Sequence, residues 1–228
     1  MSEDRISSRF ADIWRERNRI QLAIAKDGVD NDWAKGRNQF LAFLIRIRDE
    51  KLTGKIIEIQ DMLSTIPCID PFPKDYLHIT VKGCGFLAES PEHEDDIPIE
   101  KLQTIIDQAT EILHTPRFRI RLPKLNLFPS VVFLEVHDNG RIGEMNRELQ
   151  SICGIRRMRF DYPLFLPHIS IAQFQNEQEF DRLINYLERL RDVEFGETTT
   201  GSIELVIAHI NGRYPQLESI HAFELRQF

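Results

Sequence analysis

Two short strings decide the expected fold: His78-Ile79-Thr80-Val81 and His168-Ile169-Ser170-Ile171. In each string a histidine and a hydroxyl residue alternate with aliphatic residues. Successive side chains on a β-strand point to opposite faces, so the histidine and the hydroxyl share one face and the aliphatic residues share the other. The sequence therefore predicts two strands that each present an imidazole beside a hydroxyl, over an apolar underside.

The two strings occupy matched points of an internal repeat. His168 follows His78 by 90 residues, and Val131, which opens one predicted strand, follows Phe40, which opens another, by 91. Hydrophobic periodicity gives the order strand, helix, proline-containing loop, strand, helix, strand twice. The predicted repeat units are residues 39–126 and 131–210, interleaved within one two-lobed domain over residues 39–228.

Residues 1–38 precede the repeat and are expected to form a helical extension. Ile6, Phe10, Ile13 and Trp14 fall on one helical stripe among charged residues. This pattern favours a helix that packs on the domain behind it over an arm that binds a partner protein.

Composition places the chain among globular proteins. It has 228 residues, of which 42% are hydrophobic and 29% charged, enough for one large domain or two small lobes. The longest apolar stretches fall far short of the roughly 20 residues of a membrane span, and the first residues are polar. We therefore expect a cytoplasmic monomer that does not bind membranes.

Net charge and cysteine content argue against a protein that coats nucleic acid, a disulfide-rich protein and a metalloprotein. A net charge of −7 argues against a protein that coats long nucleic acid, although it is compatible with a small phosphate ligand. The three cysteines, Cys68, Cys84 and Cys153, are odd in number and lack metal-ligand spacing. Neither a disulfide framework, a metal nor a cofactor is expected.

The paired histidines suit acid–base chemistry on a phosphodiester. Imidazole titrates near neutral pH, so it can either accept or donate a proton there. Cleavage of a phosphodiester requires a base for the attacking oxygen and an acid for the departing oxygen. His78 and His168 are the candidate acid–base pair, and the hydroxyls of Thr80 and Ser170 are candidate donors to the non-bridging phosphoryl oxygens.

These strings, in a duplicated chain of mixed helices and strands, resemble those of the 2H phosphoesterase superfamily, which includes 2'-5' RNA ligase-like proteins and cyclic phosphodiesterases. The resemblance covers about residues 39–228. It implies an α+β, bilobal fold with pseudo-twofold symmetry, in which two antiparallel-rich sheets face each other across a central cleft lined by both motifs. It also implies metal-independent action on 2',3'-cyclic or related phosphodiesters.

Residues after each motif are candidate substrate contacts. Members resembling the bacterial RNA ligase-like branch have an arginine shortly after the second motif, where this chain has Gln173. After the first motif, Lys82 shares the face of Thr80 if the strand stays regular, which would allow it to bind a phosphate.

Further candidates lie on loops. Tyr76 and Tyr162 could stack on a base, and Arg159, in the loop before the second motif, could bind a nucleotide phosphate. His209 and His221 have no hydroxyl residue two positions later, and they are interpreted as structural.

The leading hypothesis is a phosphodiesterase that acts on a small nucleotide or an RNA end, with the roles of the two histidines left open. Two alternatives use the same cleft. One is a non-catalytic module that binds a nucleotide or phosphate, and the other is RNA 2'-5' ligation, the joining of ends by similar chemistry in reverse.

Overall fold

The computed structural model describes residues 3–24, 31–158, 161 and 165–227. The helices are α1 (Glu3–Arg15), α2 (Asn31–Ala34), α3 (Glu50–Leu63), α4 (Leu102–Ile112), α5 (Arg141–Leu149) and α6 (Phe180–Leu190). The strands are β1 (Gln39–Arg46), β2 (Ile69–Pro71), β3 (His78–Ala88), β4 (Asp96–Pro98), β5 (Phe118–Leu122), β6 (Leu125–Leu127), β7 (Val131–Glu135), β8 (His168–Phe174), β9 (Gly196–Thr200), β10 (Ser202–His209) and β11 (Gln216–Glu224).

Most of the strands form one sheet of nine, in the order β11-β10-β1-β3-β8-β7-β6, with β2 beside β8 and β4 beside β3. All its pairings are antiparallel except that of β4 with β3. Strands β5 and β9 form a separate pair. The predicted α+β class with antiparallel-rich sheets is confirmed.

The nine-stranded sheet has two halves that meet between β3 and β8. Ile79 is the Cα partner of Ile169 at this junction. The first half contains β11, β10, β1 and β3, and the second half contains β8, β7 and β6. Strand β10 comes from the second predicted repeat unit but lies in the first half, so the units exchange strands.

Helices α3, α4, α5 and α6 bury their apolar residues against one face of the sheet. Alternate residues of the central strands point into this main core, among them Phe43, Ile79, Leu134 and Ile169. The opposite face presents His78, Thr80, His168 and Ser170, and we call it the histidine face. In the described part of the chain, no helix is long and apolar enough to cross a membrane.

Each histidine motif ends in a β-bulge. In the first, Leu44 lies opposite Thr80 and Phe43 opposite Lys82, so Val81 is an extra residue. In the second, Phe133 lies opposite Ser170 and Val132 opposite Ala172, which makes Ile171 extra. An extra residue reverses the alternation of side chains beyond it.

Buried amides satisfy the bulge carbonyls. Asn146 Nδ2 on α5 donates to Val81 O at 2.8 Å. Gln60 Nε2 on α3 donates to Ile171 O at 2.7 Å and to Phe72 O at 2.8 Å. The helix from each repeat unit therefore supports the motif strand of the other unit.

Replacing Gln60 with methionine should lower the free energy of unfolding by about 1–3 kcal/mol. The substitution keeps the side-chain volume but leaves two buried carbonyls without this donor. Gln103→Met is the matched control, because Gln103 is exposed on α4 and its side chain donates to the exposed carboxylate of Asp107. Urea unfolding of both variants measures the difference, and equal stabilities would contradict the role given to Gln60.

Candidate active site

The two motifs lie side by side at the junction of the sheet halves. Because β3 and β8 are antiparallel and Ile79 faces Ile169, His78 falls opposite Ser170, and Thr80 falls opposite His168. The two histidines are then diagonal neighbours on one face, with Cβ atoms roughly 7–8 Å apart or slightly less. The fold brings together all four residues that the motifs supply.

A backbone carbonyl fixes each imidazole in the same way. His78 Nδ1 lies 2.5 Å from Tyr76 O, and His168 Nδ1 lies 2.8 Å from Leu166 O. A carbonyl oxygen only accepts hydrogen bonds, so Nδ1 holds the hydrogen in both rings. In the neutral rings Nε2 then has a free lone pair, which is the state a general base requires.

Aromatic rings pack edge-on against both imidazoles. The Tyr76 ring lies 4.9 Å from that of His78, between ring centroids. Phe128 and Phe133 lie 5.0 and 5.3 Å from the ring of His168. These contacts restrict each imidazole to one orientation, and they place Tyr76, a predicted site residue, beside the first motif.

The two histidines differ in the charged residue beside them. Arg46 is the Cα partner of His78 across β1 and β3, whereas Glu135 is the Cα partner of His168 across β7 and β8. Arg46 is bound by the buried Glu204 at 3.2 Å. Glu135 is bound by Arg191 at 2.6 Å. The site is thus symmetric in its motifs and asymmetric in its neighbouring charges.

Burial lowers the pKa of both imidazoles. The pKa of His78 falls to about 4, because burial, aided by positive charge on His168 and Arg46, outweighs the hydrogen bond to Tyr76 O. Burial also lowers the pKa of His168, against the hydrogen bond to Leu166 O. Both rings are therefore neutral at pH 7 in the free protein.

Lys82 does not line the site, so its prediction as a phosphate contact is wrong. The bulge at Val81 turns Lys82 to the core face, where its side chain is fully buried. Lys82 Nζ donates to Asp161 at 2.5 Å and to the carbonyls of Gly83 and Arg156, both at 2.8 Å. All three ammonium hydrogens are used, which ties the loop before the second motif to the strand of the first.

The bulge at Ile171 turns Gln173 from the core face to the histidine face. Its Nε2 donates to Asp70 Oδ2 at 2.7 Å. The same carboxylate accepts from Arg213 Nε at 3.0 Å and from the Tyr214 hydroxyl at 2.5 Å. Arg213 comes from the loop between β10 and β11, and its side chain remains 59% exposed. Gln173 occupies the position where the resemblance expects arginine. Through the shared carboxylate of Asp70, it lies near a cation from another segment, Arg213.

The remaining predicted residues are placed as follows. Arg159 and Tyr162 lie outside the described residues. His209 bonds to Glu218 on the neighbouring strand, and His221 is exposed on the edge strand β11. Within the described ranges, no three His, Cys, Asp or Glu side chains are close enough to hold a metal ion.

Sequence reasoning missed Arg46 and the Asp70–Arg213–Tyr214 cluster. Arg46 ends a buried strand, and only the pairing of β1 with β3 shows that it lies beside His78. Asp70 and Arg213 are 143 positions apart in the chain. No motif or spacing signals such a contact.

Comparison with known proteins identifies the same family. The model of the 2'-5' RNA ligase superfamily matches residues 54–219. A Methanocaldococcus jannaschii protein named RNA 2',3'-cyclic phosphodiesterase is 26% identical over 155 residues, covering 64% of this chain and 79% of that protein. A Methanothermobacter thermautotrophicus protein of the same name is 25% identical over 195 residues, covering 81% and 98%.

A solved structure supports the fold. The crystal structure of a Thermus thermophilus protein has a TM-score of 0.64 and 23% sequence identity, and the match covers 82% of this chain and 98% of that chain. At this identity the likeness concerns the arrangement of helices and strands.

Replacing Lys82 with methionine should lower the free energy of unfolding by about 3–5 kcal/mol, because the buried carboxylate of Asp161 would lose its cation. The double variant Lys82→Met/Asp161→Asn should recover part of this loss, since no buried charge then remains. Lys51→Met, at an exposed position of α3, is the control and should change stability little. Chemical denaturation that finds Lys82→Met as stable as Lys51→Met would refute the buried pair.

Proposed function

Because the chain belongs to the 2'-5' RNA ligase superfamily, we propose that it hydrolyses 2',3'-cyclic phosphates at RNA ends or on small nucleotides. One observation supports this most: His78 and His168 are diagonal neighbours on adjacent strands, and each has its Nδ1 bound to a carbonyl. Two relatives named RNA 2',3'-cyclic phosphodiesterase add support for this choice of substrate.

We assign the base to His78 and the acid to His168. Arg46 and positive charge on His168 add to burial in lowering the pKa of His78 to about 4, whereas burial alone lowers the pKa of His168. The first proton that the pair takes up therefore resides on His168. The phosphodiester anion stabilises that proton further when substrate binds.

The reaction balances with these two groups and one water. His78 Nε2 removes a proton from the water as its oxygen forms a bond to phosphorus. The bond from phosphorus to one ribose oxygen breaks, and His168 Nε2 donates its proton to that oxygen. The hydroxyls of Thr80 and Ser170 donate to the non-bridging oxygens as negative charge grows there. The product is a ribose with one free hydroxyl and one phosphomonoester.

Either histidine replaced by alanine should reduce turnover about 10²–10⁴-fold, because each removes one proton-transfer group. The assay uses nucleoside 2',3'-cyclic phosphates, 2'-5' dinucleotides and an RNA ending in a cyclic phosphate, all in EDTA. The control is His221→Ala, which lies on edge strand β11 opposite Leu205. If His78→Ala and His168→Ala both turn over substrate as fast as the wild type, the assignment fails. Tight nucleotide binding without turnover would favour a binding module instead.

The pH profile of kcat/KM should be bell-shaped, with its maximum below pH 6.5. The active form has one proton on the pair, and this form is most populated between two pKa values that both lie below the ordinary value of 6.5. Residual activity of His78→Ala should lose the acidic limb, and that of His168→Ala should lose the basic limb. Limbs lost in the reverse order would exchange the roles, and a maximum above pH 7 would contradict the lowered pKa values.

A further inference from the structure

Helix α1 packs on the histidine face of the second half of the sheet. Phe133, whose Cα partner is Ser170, lies on that face. Phe10 contacts it with ring centroids 5.8 Å apart, and Ile6 and Phe10 are buried in the same cluster. Asn126 Nδ2 donates to Phe10 O at 3.0 Å. The sequence favoured a helix packed on the domain, and the structure places that helix next to His168.

The helix runs along β7 in the opposite direction. At its start, Glu3 lies 3.4 Å from His137, just beyond the end of β7. Phe10 lies over Phe133, in the middle of the strand. Past the helix, Ala23 N donates to Pro129 O, just before the strand begins. One flank of α1 consequently faces β6, and the other faces β8 and its histidine.

The flank toward β6 is identified by its contacts. Asp4, Ser7 and Ala11 line a cavity together with Lys124 and Arg191. Trp14, on the same flank, stacks with the guanidinium of Arg191, whose Cζ lies 4.6 Å from the ring centroid. Lys124 directly precedes β6 and Arg191 directly follows α6, so this flank points toward the outer edge of the sheet, and Glu135 on β7 also lines the cavity.

Arg5 and Arg9 lie on the opposite flank. With 3.6 residues per turn, their positions fall on the side of the buried stripe away from Asp4, Ser7 and Ala11. Both side chains are exposed, and neither bonds to an acceptor among the described residues. In contrast, Arg15 and Arg19 of the same segment pair with Asp12 and Glu16.

Two unpaired cations one turn apart are unfavourable for an isolated helix, because like charges at positions i and i+4 repel. An anion bound on this flank would offset the repulsion between the two guanidinium groups. The two side chains begin about 6 Å apart along the helix axis, a spacing that suits two phosphates of one strand. Because the overall charge is −7, attraction of an RNA strand depends on local groups of cations such as this one.

We propose that Arg5 and Arg9 bind phosphates of a single-stranded RNA whose cyclic end lies between His78 and His168. This inference rests on the proposed function and narrows its substrate class: RNA ends are preferred over cyclic mononucleotides. A mononucleotide has no second phosphate to reach α1, so the two arginines contribute only to oligonucleotides.

The test compares Arg5→Gln/Arg9→Gln with the charge-matched control Arg15→Gln/Arg19→Gln. Substrates are a nucleoside 2',3'-cyclic phosphate and a short RNA with the same cyclic end. In Arg5→Gln/Arg9→Gln, the KM for the RNA should be about tenfold higher than in the wild type. The kcat and KM for the mononucleotide should be unchanged. The control should change neither substrate's KM by more than about twofold.

Salt dependence gives a second readout. The slope of log affinity against log salt for an RNA ending in a 3'-phosphate should become shallower by about 1.4 in Arg5→Gln/Arg9→Gln, since each lost contact removes about 0.7. If both double variants show the same KM and slope, the inference is wrong while the hydrolase assignment stands. If the wild type cleaves neither substrate, the proposed function itself fails.

Discussion

The pairing of β3 with β8 at Ile79 and Ile169 is the contact on which the rest of the structure depends. It joins the two halves of the sheet and makes the two motifs neighbours on one face. Side chains of α3 and α5 secure this junction by donating to the bulge carbonyls of the opposite unit. Each half of the site therefore depends on a helix encoded in the other half of the chain.

The two histidines have equivalent backbone surroundings but different charged neighbours. The two imidazoles have equivalent carbonyl partners, so geometry alone would make them interchangeable. Their strand neighbours differ, because Arg46 lies beside one and Glu135 beside the other. In the proposed mechanism, two groups with the same intrinsic chemistry take opposite roles, because Arg46 disfavours a proton on the ring beside it. The proposed acid and the proposed base therefore differ, although the two halves of the fold are alike.

The N-terminal segment adds a second asymmetry. It covers the histidine face beside His168 with helix α1, while Trp33, further along the same segment, contacts Phe40 and Phe86 on the first half of the sheet. The same helix that buries Ile6 and Phe10 against this face carries Arg5 and Arg9 as exposed side chains beside the buried stripe. In our proposal, these two residues outside the repeat favour RNA ends as substrates.

The sequence by itself determined the mixed fold class and which side chains accompany each histidine, because the period of two along a strand is a local property of the backbone. Only the tertiary structure decided that this alternation is interrupted at Val81 and at Ile171. The bulges depend on register with β1 and β7, so the burial of Lys82 and the position of Gln173 on the histidine face could not be predicted from spacing. The positions of Arg213 and α1 likewise depend on contacts between distant segments, whose energies come from packing and have no local signal.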